Sequence, residues 1–406
     1  MSNPKRRPRD VSAGLDRCDR ERLLRDALQS TRAPDEGPAE DRAWRVVAGA
    51  AASGERAPIR RGKRRRAVQV ALVLGLIAVL VSPAGASVRH WVADRIEPGA
   101  PHARPVLSAL PGDGSLLVES PRGPWVVYPD GSKRLLGAWH EASWSPHGLY
   151  AVVTRRHEIA AVEPDGTVRW ALARPGWVGK ARWNGPDGYR IAYLEGNRLR
   201  VVDGDGTDDR LLARHVAWVA PAWKPGPGHA VAYATPGGDV LAVGADSDRE
   251  VLRSDGRGGV LFLQWTGGRL LVTRTDRLQL LDRSGRATWT WTAPPGTTIG
   301  SAVARGGRVA VVTHDQDGGT SRLLLLARGH KPRVLFAGPG DLGPPRWSPD
   351  GRWLLAPWPR ADQWLFLQPG TGSAKLHAVA NVAAQFSPGD AKGARFPSVV
   401  GWSHQR

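Results

Sequence analysis

The residues best equipped for chemistry lie in two acidic turns, a scattering of histidines and an unusual stock of tryptophan. Asp203-Gly-Asp205-Gly-Thr-Asp208-Asp209 places oxygen ligands at alternate positions, as a calcium loop does at its start. Such a loop needs a bidentate Glu at its twelfth position, and here that position is Arg214. Asp315-Gln-Asp317-Gly-Gly is shorter still. Both segments are therefore expected to be polar turns. Ten histidines follow His90, spread too thinly to form a metal site or a nucleophile–base pair from spacing alone. No Gly-x-Ser-x-Gly elbow and no His-Glu-x-x-His is present. What remains is a set of 18 Trp, whose faces could stack on sugars or apolar peptide side chains. Trp289 and Trp291 share one strand face, as do Trp353 and Leu355, and Trp358 between two prolines is the expected exposed one. The chemistry on offer is recognition, with no catalytic residue, cofactor ligand or metal ligand expected.

The elements that must carry these residues show themselves by repetition. Short stretches ending in an aromatic or small residue recur as Glu141-Ala-Ser-Trp144, Lys180-Ala-Arg-Trp183, Ala220-Pro-Ala-Trp223, Phe262-Leu-Gln-Trp265, Ser301-Ala-Val-Ala304, Pro344-Pro-Arg-Trp347 and Val399-Val-Gly-Trp402. From Trp144 onward the intervals are 39, 40, 42, 39, 43 and 55 residues. A Gly-bearing turn and an apolar run such as Tyr150–Thr154 or Arg269–Thr273 follow most of them. Two more short runs come next, joined by Asp-Gly turns whose positive φ suits a hairpin. Four antiparallel strands per unit of roughly 40 residues is the arithmetic of a β-propeller blade. The expected fold is therefore all-β, a seven-bladed propeller over residues 110–406. The first three-strand set, from Ser115, lacks a marked innermost strand, and the last such strand, Val399–Trp402, has no set after it, so pairing the two would close the ring. Taking Arg104–Ala109 as a first strand instead would leave six or eight blades open. The connection 381–397 is expected to reach across the closure.

Trp144-Ser145-Pro146-His-Gly148 and Trp347-Ser348-Pro349-Asp350-Gly351 resemble the Trp-Ser-Pro-Asp-Gly turn of TolB-like, WD-repeat-like bacterial propellers. The likeness is partial at Trp183, Trp223 and Trp265 and lost at Ala304, while Trp402 ends the last of the recurring stretches. The resemblance implies a structural motif, with Trp packed between blades and Pro-Asp-Gly setting the turn. It also implies partner binding at a face or mouth of the propeller, and no particular reaction.

Before the propeller, Ala67–Ser87 carries no charge for 21 residues and directly follows Arg60, Arg61, Lys63, Arg64, Arg65 and Arg66. As a helix it would span a bilayer core, with the basic flank holding residues 1–66 in the cytoplasm. A cleaved signal peptide, ending near Ala84-Gly-Ala86, is the other reading of this stretch. Residues 88–109 would then be a juxtamembrane connector. Within 1–66, two short helices are expected beside disordered chain, and Trp44, Val47, Ala48 and Ala51 form one apolar stripe. Trp44 and Val47 are the expected contacts of a cytoplasmic partner. This layout resembles that of membrane-bound anti-sigma factors, although their zinc motif is missing because the first histidine is His90.

The chain of 406 residues carries a formal charge of +19, of which residues 1–66 hold 18 Lys/Arg against 10 Asp/Glu, or +8. The remaining +11 is dispersed along the exported part, so nucleic acid is not an expected partner. The single cysteine, Cys18, lies on the cytoplasmic side, so the propeller must be held by packing alone. The reading is a single-pass membrane protein of the cell envelope whose propeller binds an envelope protein or polysaccharide. Residues 1–66 could pass the signal to a cytoplasmic regulator such as a sigma factor. The alternative is a propeller enzyme of the lactonase or sugar dehydrogenase type, with a central metal or quinone.

Overall fold

In the computed structural model, residues 109–185, 189–226, 228–370, 374–387 and 394–404 are described. They form seven four-stranded antiparallel sheets. Each sheet is one blade of an all-β propeller, and in blades 2 to 7 the strands run in sequence order from the innermost, a, to the outermost, d. The a strands of blades 2 to 7 are Glu141–Trp144, Val178–Trp183, Ala222–Trp223, Val260–Thr266, Thr297–Arg305 and Arg346–Trp347. Blade 1 is assembled from both ends of the described chain. Its b, c and d strands are Ser115–Ser120, Gly123–Val127 and Lys133–Leu135, and its a strand is Ser398–Ser403. Leu116 lies opposite Trp402 and Glu119 opposite Ser398. Each a strand touches those of both neighbouring blades, so the ring closes. The count is seven among the described residues.

The b strands explain why the sequence shows apolar runs where a half-exposed sheet would alternate. In blade 2, Val152 and Val153 point to opposite faces of one strand. Val152 packs with Ile159, Ile191 and Tyr193 toward blade 3. Val153 packs with Leu117, Val126 and Trp139 toward blade 1. Leu270 and Leu271 divide in the same way between blades 4 and 6. The core is thus seven separate apolar layers, one at each interface between blades. Strands buried on both faces need apolar residues at every position. The d strand of blade 5 has one wet face and does alternate, with Trp289 and Trp291 packing inward while Thr290 and Thr292 face solvent.

The connection before the closing strand does more than span a gap. Val382–Gln385 forms one helical turn, and Val382 and Phe386 are fully buried between blades 7 and 1. The Phe386 ring meets Trp125 at 5.9 Å and Trp364 at 5.5 Å. Gln385 Oε1 accepts a hydrogen bond from Lys133 Nζ of blade 1 at 3.1 Å. Among the described residues no helix is long and apolar enough to cross a membrane. The expected span 67–87 and the expected contacts Trp44 and Val47 lie outside the described residues.

Candidate functional site

The recurring tryptophans sit where blade meets blade. The Trp223 indole N–H donates to the Arg182 carbonyl at 2.8 Å, and that of Trp265 to the Ala222 carbonyl at 3.0 Å. Trp347 reaches the Val303 carbonyl at 3.4 Å. Each acceptor is the residue just before the equivalent position one blade back. Trp402 donates to the Asp113 carbonyl at 3.0 Å. Trp144 and Trp183 are partly buried, and their indole nitrogens have no hydrogen-bond partner. Where the motif fails at Ala304, a different latch takes over. The Gln264 side chain of blade 5 accepts from the Ala304 N–H at 2.7 Å and donates to the Ala304 carbonyl at 2.9 Å.

The Ser-Pro-Asp-Gly turn is tied inward by its serine. Ser348 is fully buried, its N–H donates to the Trp353 carbonyl, and its hydroxyl accepts from the Trp353 N–H at 2.9 Å. Asp350 accepts from the Arg352 N–H at 3.0 Å, and Gly351 supplies a φ of 72°. Pro349 offers its carbonyl to Arg305. Ser145 repeats this pairing on Tyr150, followed by Pro146 and by Gly148 at a φ of 68°. Asn184 plays the serine's part in blade 3, its side-chain oxygen accepting from the Arg190 N–H at 2.8 Å. The sequence shows Asn184 only as a neighbour of Trp183.

The a–b loop of blade 2 forms one wall of an open cleft of about 740 Å³ between blades 2 and 3. Leu149, Tyr150, Trp170, Trp183 and Tyr189 supply aromatic and apolar surface, and Asp203 and Asp205 supply carboxylates. The local fold explains why these surfaces stay available. Tyr150 and Trp183 stack at 6.5 Å with 24° between their planes. Trp170 is fixed by donating to the Gly204 carbonyl at 2.8 Å, and a Cβ on Gly206 would come within 2.7 Å of its ring. Leu149 and Tyr189 are 51% and 68% exposed at the rim. Asp203 and Asp205 lie in a c–d turn closed by Gly206 at a φ of 88°. Asp205 accepts from both the N–H and the hydroxyl of Thr207, which holds its carboxyl below the usual range. Burial pushes Asp203 up, against the pull of Arg190, with which it pairs. The turn is polar, as expected, and it also borders the cleft.

Around the axis lies a second cluster. Glu119, Glu141, Lys180, Arg182 and Arg346 come from four blades. Glu119 accepts from the Ala142 N–H at 2.7 Å, and Glu141 accepts from both the backbone N–H and Nζ of Lys180 at 2.6 Å. Burial pushes the Glu119 carboxyl up to about 7. Burial, helped by the charge of Arg182, lowers Arg346 to about 10. This donor set does not fit a divalent cation, because three cationic side chains share the channel with two carboxylates already engaged. Among the described residues no group of three His, Cys, Asp or Glu could hold a metal. His314 does not form a serine–histidine–carboxylate relay. Its Nδ1 meets the Ser321 hydroxyl at 2.7 Å and Asp341 at 3.4 Å, so serine and carboxylate compete for one nitrogen, and Ser321 is buried and donates to the Gly340 carbonyl.

The structure corrects one expectation about the tryptophans. Trp358 is only part-exposed: it packs edge-on against Phe336 at 5.0 Å and donates to the Pro339 carbonyl at 2.9 Å. Among the described residues the exposed ones are Trp177 and Trp218, at 50% and 42%, on the d–a connections entering blades 3 and 4. Arg156 lies 5.7 Å from the Trp177 ring and Lys180 5.9 Å from that of Trp218. No sequence signal separates them from Trp139, which holds the matching place in blade 2 and is buried.

No protein-family model and no curated protein matches this chain. Among solved structures, it is similar to a chain of a mitotic checkpoint complex, at 17% identity and a TM-score of 0.48, over 59% of this chain and 79% of that one. It is also similar to the C-terminal WD40 domain of Sif2, at 15% identity and a TM-score of 0.48, over 64% and 79%. The hydrazine synthase of Kuenenia stuttgartiensis aligns at 15% identity and a TM-score of 0.45, over 56% and 75%.

Proposed function

We propose that this propeller is a binding module, anchored through residues 67–87, whose cleft between blades 2 and 3 takes an extended segment of an envelope protein or polysaccharide. The cleft carries the reading. It offers rigid aromatic faces fixed by Gly204 and Gly206 and exposed rim residues at Leu149 and Tyr189. Its polar groups are largely satisfied within the protein, as at Asp205, which suits recognition by stacking and shape. In the same proposal, residues 1–66 report occupancy to a cytoplasmic regulator such as a sigma factor, through the stripe containing Trp44 and Val47.

The test is capture from solubilised envelope fractions by the full chain, wild type against Leu149→Ser combined with Tyr189→Ala. Both side chains are exposed, so folding is expected to survive. The reading requires a component that the wild type retains and the double variant loses by roughly tenfold or more. Equal capture by the two proteins would reject the cleft as the binding surface. Deleting residues 1–52 tests the signalling part, which fails if expression of every gene tested is unchanged.

A further inference from the structure

Two guanidiniums approach the axis with no carboxylate paired to either. Arg182 lies on the a strand of blade 3 and Arg346 on that of blade 7, with blades 1 and 2 between them in the ring. The charges that act on Arg346 are those of Arg182 and Glu119, and those that act on Arg182 are Glu141 and Glu119, so these groups lie within electrostatic range of one another around the central channel that a propeller encloses. Arg182 Nη1 donates to the Ala181 carbonyl at 2.7 Å, and Arg346 Nη1 to the Pro345 carbonyl at 3.1 Å. Each is the residue's own preceding carbonyl, and neither arginine has a further hydrogen bond or ion pair among the described residues. A guanidinium carries five N–H donors, so most of both sets remain uncommitted.

The neighbouring carboxylates are occupied elsewhere. Glu141 spends both oxygens on Lys180, and Glu119 holds the Ala142 N–H. The channel therefore keeps an excess of positive charge and two planar donor forks. Such forks match the geometry of a carboxylate or phosphate. We propose that the axial channel is an oxyanion site in which Arg182 and Arg346 together hold one group of the carboxylate or phosphate class. Glu119 sets its strength. This carboxyl faces Glu141 on blade 2 and Lys180 and Arg182 on blade 3, and acts in turn on Arg346 on blade 7. As pH falls it gains a proton, a negative charge leaves the channel, and the anion is held more tightly.

The experiment is calorimetric titration of the full-length chain with sulfate, whose charge is constant from pH 6 to 8, at fixed ionic strength set with chloride. The expected result is saturable binding of one sulfate, tighter at pH 6 than at pH 8. R182Q and R346Q should each weaken it by roughly tenfold or more. E119Q should bind at pH 8 as the wild type does at pH 6, with no pH dependence between. A parallel titration with triglycine, carrying a free or an amidated C-terminus, identifies the source of the anion. Binding of the free form alone assigns the site to a chain-end carboxylate, and binding of sulfate without triglycine assigns it to a small free anion. Absence of saturable binding by both probes would overturn the proposal. So would sulfate binding that R182Q and R346Q leave unchanged, which would place the ion elsewhere on this basic protein. If either arginine variant fails to fold, E119Q keeps both guanidiniums, and a pH dependence that persists in it is equally fatal.

Discussion

Single residues in this protein are decided by what surrounds them at the blade interfaces. Glu119 is the clearest case. Its carboxyl titrates at about 7 against an ordinary 4.5, chiefly because burial disfavours the charge. The folded state thus holds this proton more tightly than the unfolded chain does. The group costs nothing below about pH 4.5, and stability then falls as pH rises toward 7, by up to about 3 kcal/mol. The difference in urea-unfolding free energy between E119Q and wild type should grow over that window and level off above it. A flat difference would show that Glu119 titrates normally. Gly148 is a second case. Its φ is 68°, and a Cβ there would lie 2.4 Å from the His404 carbonyl. Gly148→Ala should lower stability by about 2 kcal/mol or more, read as a drop in the thermal midpoint. The sequence shows that Gly as a turn residue. Its contact with the chain end cannot be read there, because the two lie more than 250 residues apart.

At the scale of elements, the Trp and the turn that follow each a strand do separate jobs. The turn closes the a–b hairpin within a blade, and in blades 4, 5 and 7 the indole ties that blade to the one before. Ala304 shows that the second job can be reassigned, since Gln264 grips the Ala304 backbone from blade 5 with two hydrogen bonds. Gln264→Ala should therefore destabilise by about 1–3 kcal/mol, the cost of leaving a part-buried backbone N–H and carbonyl unpaired. Gln264→Glu should recover less than full stability, because a carboxylate can accept from the Ala304 N–H and cannot donate to its carbonyl. Denaturant midpoints of both variants check this, and wild-type stability in Gln264→Ala would dismiss the latch. The loss of Trp at this position is visible in the sequence. Its replacement by a glutamine on the a strand of the preceding blade is not, because glutamine is unremarkable until its partner is known.

At the scale of the molecule, the ring stands or falls with its closure. Ser398–Ser403 pairs with Ser115–Ser120 across nearly the whole described chain, and Phe386 and Val382 seal the same interface. Removing residues 394–406 would expose the Ser115–Ser120 edge and open the apolar layer containing Leu116, Trp364 and Phe366. That protein is expected to lose its cooperative thermal transition and aggregate. A permutant that joins residues 394–406 directly ahead of residue 109 restores the same pairing within one hairpin. It should fold with a midpoint within a few degrees of wild type, and failure would mean that the connection 381–393 is itself essential. Each blade buries its faces only against its neighbours, so the seven layers are a closed chain of nearest-neighbour interfaces, as in other repeat architectures.

The sequence by itself determined the blade period, the apolar b strands, the Asp-Gly and Ser-Pro-Asp-Gly turns and the pairing of the first and last strands of the propeller. These follow from local rules: positive φ at turns, strands buried on both faces, and the cost of an open sheet edge. Only the tertiary structure decided which tryptophans are exposed, since Trp139, Trp177 and Trp218 hold equivalent places and differ in what the next blade lays over them. It alone brought Tyr150, Trp170, Trp183 and Tyr189 into one cleft from two blades, and Glu119, Arg182 and Arg346 to one channel from three. Contacts between repeats depend on how the ring turns, and no stretch of sequence carries that rotation.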